Sequence, residues 1–342
     1  MKSIFCRQFL KQALLAIVVL PVLLVACKGK ENKTASSSVF DHPQVREFSD
    51  AIKKEPKNAE VYYKRGVALH KIDQDSLALN DFNTAVSLDS TKARYMSAIG
   101  ELMFNHKDIT GSKKWIQRAL QLDPSDIRAH LKLANLMIFT KDYPQAFAEI
   151  NTVLRNDAYN PEGYFLKGII YKEMKDTLKA ISSFQTCINV APDYKEAFIQ
   201  LGQLFNMKQN SKAGMQYLEN AYKIDTTDPF PLYAKGMYLQ EAKRYEEAKI
   251  EYRRCILVDP QYADALFASG FILLQQDSFQ KANRQFDLVT KAEPDNASAY
   301  YNRGLTNELM GKKEEAVKDY QQALVFNKDM KTAQDGLKRL GK

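Results

Sequence analysis

The side chains best suited to metal binding or nucleophilic chemistry are few in this chain and far apart. Its 342 residues include four cysteines and four histidines. A zinc site on a helix needs a second histidine or cysteine about three or four residues from the first. None of His42, His70, His106 and His130 has such a neighbour. The sequence therefore predicts neither a metal site nor a disulfide scaffold.

Motifs of familiar catalytic chemistry are also missing from the sequence. There is no Gly-x-Ser-x-Gly nucleophile elbow and no glycine-rich phosphate loop. Gly311-Lys312 resembles the end of a phosphate loop, but Thr306 stands where its first glycine is needed. The single tryptophan, Trp115, falls on a predicted helix and is interpreted as a core residue. We therefore predict no enzyme activity and no cofactor.

A repeat of 34 residues organises most of the chain. The similar segments 62–66, 164–168 and 300–304 are separated by multiples of 34 residues. The eighth position of each unit is glycine, except for Ala134, and small residues and one bulky apolar residue recur further along. Eight units follow one another without an insertion, at 59–92, 93–126, 127–160, 161–194, 195–228, 229–262, 263–296 and 297–330. A period of this length indicates a solenoid.

Each unit has the pattern of two amphipathic helices. Apolar residues recur at i, i+3, i+4 and i+7 in both halves, and turn-forming pairs such as Lys141-Asp142 separate them. Small residues on both helices allow their backbones to approach closely. Because no unit buries its apolar surface alone, neighbouring units must stack. Cys187 and Cys255 occupy the same core position two units apart, too far for a disulfide, and are predicted to be core thiols.

The array resembles the tetratricopeptide repeat family over about four-fifths of the chain. The resemblance rests on the repeat length, the glycines, the small residues and the prolines that close four units. Those prolines are Pro124, Pro192, Pro260 and Pro294. It implies an all-α fold, a right-handed superhelical solenoid of stacked helix-turn-helix units. Residues 44–58 are expected to form a leading helix, or half repeat, and residues 331–342 a C-terminal capping helix.

The first 26 residues have the pattern of an export signal. Three basic residues precede an apolar run at 13–25, which is too short to span a bilayer. The run ends in Leu24-Val25-Ala26-Cys27, which resembles the lipobox of bacterial lipoprotein precursors. That resemblance implies cleavage before Cys27 and lipidation of its sulfur. Lys28 then favours the outer membrane, and residues 27–43 are predicted to be a flexible tether.

The resemblance also predicts a binding groove. In this family the first helix of each unit lines the concave face, where positions five and nine are among those pointing inward. A clamp of lysine at five and asparagine at nine, as in the cochaperone subfamily, is absent. The candidate contact residues are Tyr63, Asn135, Phe165, Ile199, Tyr233, Met237, Phe267, Phe271 and Tyr301. Such a lining suits an extended peptide or a partner helix. Alternatively, these side chains are buried against the next unit.

The net charge of +8 first favours nucleic acid or an anionic membrane as the partner. However, residues 1–26 carry +3, residues 27–58 carry +2 and residues 331–342 carry +3, which leaves the eight units neutral. A nucleic-acid surface needs basic residues concentrated along the groove. We therefore predict no nucleic-acid partner, and a small-molecule ligand is not expected either.

Together these features lead to one functional hypothesis and one alternative. The hypothesis is a non-catalytic scaffold of the bacterial cell envelope, lipid-anchored in the outer membrane and facing the periplasm. It would bind protein partners in its concave groove and serve the assembly of envelope complexes. The alternative is an accessory lipoprotein that contacts glycan or the machinery of nutrient uptake.

Overall fold

The computed structural model describes residues 39–207 and 211–342, which form eighteen α-helices and a short 3-10 turn. No β-strand occurs among these residues. The prediction of an all-α solenoid of stacked helix-turn-helix units is confirmed. The lipobox, Cys27 and most of the predicted tether lie outside the described residues.

Sixteen of the helices form eight consecutive pairs, one pair within each 34-residue unit. Apolar side chains of the two helices of a pair pack against each other and against the adjacent pairs. The pairs are α2 (Ala59–Lys71) and α3 (Asp75–Leu88), α4 (Ala93–Asn105) and α5 (Ile109–Leu122), α6 (Ile127–Phe139) and α7 (Tyr143–Asn156), α8 (Pro161–Glu173) and α9 (Thr177–Val190), α10 (Lys195–Met207) and α11 (Ser211–Ile224), α12 (Phe230–Glu241) and α13 (Tyr245–Val258), α14 (Ala263–Gln275) and α15 (Phe279–Ala292), and α16 (Ala297–Leu309) and α17 (Lys313–Phe326).

The array is preceded by the 3-10 turn Val39–Asp41 and by α1, Pro43–Lys54. Pro43 occupies the first turn of α1, where its missing N–H costs no hydrogen bond. The helix ends before residue 58, the expected limit of the leading helix, because Pro56 disfavours helical geometry at the residue before it. Val45 of α1 is fully buried in a cluster of apolar side chains with the first pair.

Helix starts and turns repeat the same local chemistry. Asparagine or aspartate side chains cap several helices by accepting a backbone N–H of the first turn. These caps are Asn58, Asp108, Asp126, Asp142, Asn160, Asp176 and Asn296.

The turn between the two helices of a unit contains a residue with a positive φ in seven units, at the fifteenth position. These residues are Asp73, Lys107, Lys141, Lys175, Lys243, Asp277 and Gly311. This left-handed residue ends the first helix and turns the chain into the second.

The two helices of a pair meet where the eighth residue of the unit faces a bulky side chain. A Cβ atom added at Gly168 would lie 2.6 Å from Cε1 of Phe184. Ala180, Phe184 and Cys187 of the second helix are fully buried beside it. Apolar clusters of this kind follow one another along the array instead of forming one central core.

The first helices of the units line the inner side of the array. First helices of neighbouring units contact each other directly, as α4 with α6, α6 with α8, and α12 with α14. Second helices of neighbouring units are farther apart and therefore lie on the outer side. At the end of the array, α18 (Lys331–Arg339) buries Ala333 and Gly336 and packs Leu337 and Leu340 against the cluster around Tyr320.

Candidate protein-binding groove

The inner groove is the surface formed by the first helices of the units, and it contains the predicted contact residues. Those at the fifth position of a unit are half-buried, namely Tyr63, Phe165, Ile199, Tyr233, Phe267 and Tyr301. At the ninth position, Asn135 and Phe271 are exposed and Met237 is half-buried. The ninth position therefore offers more free surface to a partner than the fifth.

Aromatic rings at the fifth position pack against the second helix of their own unit. Tyr233 and Tyr252 have ring centroids 6.0 Å apart, and the equivalent Phe267 and Phe286 are 5.5 Å apart. The same geometry recurs for Tyr63, Phe165 and Tyr301. These rings therefore lie on the inner groove, as expected, and are also partly buried, as in the alternative.

Several of these rings also pack at the junction with the following unit. The ring centroid of Tyr63 lies 5.1 Å from that of Tyr95 in the next unit. The ring centroid of Tyr233 lies 5.3 Å from that of Tyr262, the last residue of its own unit, which directly precedes α14 of the next unit. Pairs of this kind contribute about 0.5–1.5 kcal/mol beyond the area they bury. The aromatic side chains at the fifth position therefore pack between neighbouring units and also line the inner groove.

The C-terminal half of the inner groove contains an apolar pocket of about 370 Å³. Tyr233, Met237, Tyr245 and Phe271 supply its apolar surface, and glutamine side chains and Glu241 supply its polar lining. The hydroxyl of Tyr252 donates to Oε1 of a neighbouring glutamine at 2.8 Å. A lining of aromatic side chains together with a few polar groups is typical of surfaces that hold large side chains of a protein partner.

The N-terminal half of the inner groove is polar. A pocket of about 300 Å³ is lined by Tyr63, Arg94, Glu101, Arg128 and Lys132, among others. The cations are largely paired, since Arg94 binds a glutamate of the preceding unit and Lys132 binds Glu101. This half offers fewer apolar anchors than the C-terminal half.

His70 and His106, from adjacent units, both form a hydrogen bond with Asp75. The sequence did not predict this cluster. Asp75 accepts hydrogen bonds from Nδ1 of His70 at 2.6 Å and from Nε2 of His106 at 2.7 Å. Burial raises the pKa of Asp75, but the two imidazoles outweigh it and hold that pKa below its usual value. His106 is 31 residues from Asp75, so no short spacing in the sequence indicates that the two side chains are in contact.

The described residues contain no group of three or more ligands arranged to hold a metal ion. Both described cysteines are buried and free. Burial raises the pKa of Cys187 and of Cys255 to about 12, so both thiols stay protonated at neutral pH. This agrees with the prediction that they are core thiols.

A recurring ion pair joins the seventh and twenty-third positions of several units. Arg65 binds Asp81 through two hydrogen bonds of 2.7 Å, and Arg303 binds Asp319 in the same way at the other end of the array. In the sixth unit, Nζ of Lys235 lies 3.0 Å from Oε1 of its twenty-third residue and also binds Glu219 of the preceding unit. These pairs fix the crossing of the two helices.

Acid is expected to destabilise the fifth and sixth units through Glu219. Hydrogen bonds from Arg254 and Lys235 lower the pKa of Glu219 to about 2, from an ordinary value of 4.5. Because the folded pKa lies below the unfolded one, the stabilisation is complete above about pH 4.5 and is lost as the pH falls towards 2. Urea midpoints measured between about pH 7 and about pH 3 should show this loss.

Two variants separate this group from general acid effects. Glu219→Gln should be less stable at neutral pH and should lose less of its remaining stability in acid. Glu247→Gln removes an exposed pair with Arg244 and should keep the acid response of the parent chain. Equal acid slopes in Glu219→Gln and the parent would contradict the assignment.

The fold and the groove define the class of the protein, a helical-repeat protein with an inner surface for a partner. Three of its units match models described as tetratricopeptide repeat, at residues 161–194, 231–262 and 297–330. The chain therefore carries tetratricopeptide repeats, which is consistent with a protein-interaction scaffold.

The curated relatives that match by sequence are longer than this chain. The DnaJ homolog subfamily C member 7 homolog of Dictyostelium discoideum is 22% identical over 236 residues, or 64% of this chain and 43% of that protein. Protein O-mannosyl-transferase TMTC3 of Homo sapiens is 22% identical over 246 residues, or 66% of this chain and 27% of that protein. The chain thus spans less than half of either relative.

Among solved structures, a tetratricopeptide repeat protein from Parabacteroides merdae superposes with a TM-score of 0.48 at 15% identity. The superposition covers 73% of this chain and 99% of that one. Within residues 39–207 and 211–342, no helix has both the length and the apolar character needed to cross a bilayer.

Proposed function

We propose that this chain is a non-catalytic scaffold of the bacterial cell envelope that binds a protein partner in its inner groove. The observation that carries the proposal is the apolar pocket formed by Tyr233, Met237, Tyr245 and Phe271. Phe271 is 38% exposed and so leaves part of its ring open to a partner. Rigid aromatic anchors of this kind contribute most of the affinity at many protein interfaces.

Attachment to the membrane through lipid on Cys27 is the second part of the proposal. It rests on the match of residues 24–27 to a lipobox and on the polar stretch that follows. Stable anchoring takes more than one acyl chain, which lipidation of both the sulfur and the new amino group supplies. Lys28, which follows the lipidated residue, favours the outer membrane in this proposal, with the repeats facing the periplasm and available for the assembly of envelope complexes.

The absence of catalysis is also part of the proposal. It is supported by the lack of a catalytic motif in the sequence. Some relatives are named as transferases, but the chain spans at most 27% of any of these proteins. We expect the purified chain to leave its bound partner chemically unchanged.

Alanine at Met237 and Phe271 should weaken partner binding about tenfold or more, because both side chains line the pocket. The measurement is the amount of partner recovered with the full chain from detergent-solubilised envelope. These two positions are preferred to Tyr233 and Phe267, whose rings also pack between helices. Removal of either ring would lower stability as well as binding.

The matched control is Leu178→Ala, which truncates a side chain that is 70% exposed and far from the pocket. Recovery should be unchanged for this variant. Thermal unfolding of all variants should match the parent chain. If Met237→Ala and Phe271→Ala recover the partner as well as the parent does, the inner groove is not the binding site.

Cys27→Ala should release the chain from membranes, because it removes the only cysteine placed to receive lipid. The measurement is the fraction of the chain that sediments with membranes after washing at high salt, which removes proteins held by charge alone. Replacement of the mature-body cysteine Cys187 by alanine is the control for general effects of cysteine removal. Continued membrane association of Cys27→Ala would contradict the proposed anchor.

A further inference from the structure

The outer face of the array carries a second groove, on the opposite side from the inner groove. This outer groove lies between α13 and α15, with α14 as its floor, and encloses about 590 Å³. Three large apolar side chains line it and are strongly exposed, namely Ile250 at 57%, Leu257 at 76% and Leu288 at 41%. Isolated exposed apolar residues need no explanation, but three around one groove form a patch.

These three residues depart from the repeat pattern. Leu288 occupies the twenty-sixth position of its unit, which is threonine, arginine, asparagine or glutamine in the other seven. Ile250 occupies the twenty-second position, where no other unit has a large apolar residue. Leu257 occupies the twenty-ninth position, which is polar in every other unit except the last, which has Val325. Stacking of the units therefore does not require apolar residues here.

The same groove concentrates unpaired positive charge. Arg253, Lys281 and Arg284 line it, and none of them makes an ion pair or hydrogen bond with another described residue. The acidic residue in the lining, Glu246, is held by Lys249 at 2.8 Å. Elsewhere in the array many cations are paired, as in the recurring pairs of the seventh and twenty-third positions. The eight units together are neutral, so this is a local excess.

We propose that the outer groove binds an acidic amphipathic helix of a partner protein. Apolar residues on one face of that helix would fill the space between Ile250, Leu257 and Leu288. Its flanking carboxylates would pair with Arg253, Lys281 and Arg284. An apolar groove with charged rims is a common receptor for an amphipathic helix, and arginine is well suited to bind carboxylates.

Two other occupants fit the groove less well. Residues 1–38 lie outside the described part and carry six basic side chains and one acidic one, so their charge opposes binding here. A membrane surface would favour side chains that protrude from the body, whereas this patch surrounds a recess floored by α14. A scaffold that uses both the inner and the outer groove would hold two partners at once.

The test uses a synthetic helical peptide and the full chain. The fluorescent peptide is about 18 residues long, with leucines at i, i+3, i+4 and i+7 and glutamates on both flanks. Fluorescence anisotropy should show that it binds at least tenfold more tightly than a peptide with lysines in place of the glutamates. Affinity for the acidic peptide should fall as salt increases.

Matched variants locate the site. Leu257→Ser should weaken binding of the acidic peptide at least fivefold, whereas Val325→Ser, at the same repeat position and 64% exposed, should leave it unchanged. Arg253→Glu with Arg284→Glu should reverse the preference in favour of the lysine peptide. Met237→Ala and Phe271→Ala, in the inner groove, should not affect this peptide. Circular dichroism should show that every variant keeps its helical content.

Several outcomes would overturn the proposal. Equal binding of the two peptides, or equal loss in Leu257→Ser and Val325→Ser, would show that the outer groove is not a specific receptor. Retention of the chain by vesicles of anionic lipid, abolished by Leu257→Ser, would assign the patch to a membrane surface. Self-association that Leu257→Ser abolishes in sedimentation would assign it to a second copy of this chain.

Discussion

Replacing Arg303 by methionine is expected to lower the free energy of unfolding of the last two units by about 3 kcal/mol. The guanidinium donates to Asp319 at 2.7 Å and to Asp287 at 2.8 Å, and also to the hydroxyl of Thr290. The side chain of Asp319 is only 9% exposed. Without Arg303 it would keep a hydrogen bond from Asn307 but lose its counter-charge. A buried carboxylate in that state is costly.

Urea unfolding and amide hydrogen exchange of α16 and α17 measure this effect. Adding Asp319→Asn to Arg303→Met should recover about half of the loss or more, because the unpaired charge is then gone. Arg244→Ala, which breaks an exposed pair with Glu247, should cost less than about 0.5 kcal/mol. A loss of similar size for Arg303→Met and Arg244→Ala would show that the buried network contributes little.

Gly168→Ala is expected to destabilise the fourth unit by about 2 kcal/mol, although alanine is the better helix former. The added methyl carbon would lie 2.6 to 2.8 Å from three ring atoms of Phe184. That ring is fully buried and also contacts Phe165. It has no free space to move into, so the two helices must separate.

The third unit provides the matched control for this prediction. It has Ala134 at the same position, opposite Ile150 instead of an aromatic ring, and both are fully buried. The double variant Gly168→Ala with Phe184→Ile copies that pair. In a double-mutant cycle measured by urea unfolding, it should be more stable than the sum of the two single variants predicts, by about 1 kcal/mol or more. Strict additivity would mean that the methyl group and the ring do not clash.

The fold follows from the sequence because its determinants are local and repeated. Glycine at the eighth position recurs in seven of the eight units, and a small residue such as Ala180 and a bulky one such as Phe184 recur in register in all eight. Each copy of the pattern specifies the same pair of helices, so the evidence accumulates along the chain.

Contacts between units were less accessible to sequence reasoning. The pairing of Asp75 with His106 joins residues 31 positions apart, and it depends on how two units stack. By contrast, the pair of Arg303 with Asp319 has a recognisable pattern in the sequence. A basic seventh and an acidic twenty-third residue occur together in the first, sixth and eighth units. A register comparison of charges would have found it.

The sequence predicted which residues lie on the inner face of the first helices. It did not predict the division between residues that pack against neighbouring helices and residues that stay exposed. Phe165 and Phe271 both read as aromatic residues on the inner face. Only the packing distinguishes them, since Phe165 contacts two aromatic rings of its own unit, those of Phe184 and Tyr194, whereas Phe271 is exposed. Amphipathic periodicity reports which side of a helix a residue occupies, and not how closely the neighbouring helix approaches it.

That division has a consequence for how such a protein diversifies. Fifth-position rings such as Tyr233 are tied to the joints of the array, so exchanging them changes stability together with any recognition. Ninth-position residues such as Asn135, Met237 and Phe271 carry less of that constraint. New preferences for partners can therefore arise by substitution at the ninth position while the joints are conserved. On each first helix, the side chain that can change with the partner lies four residues from the side chain that packing holds constant.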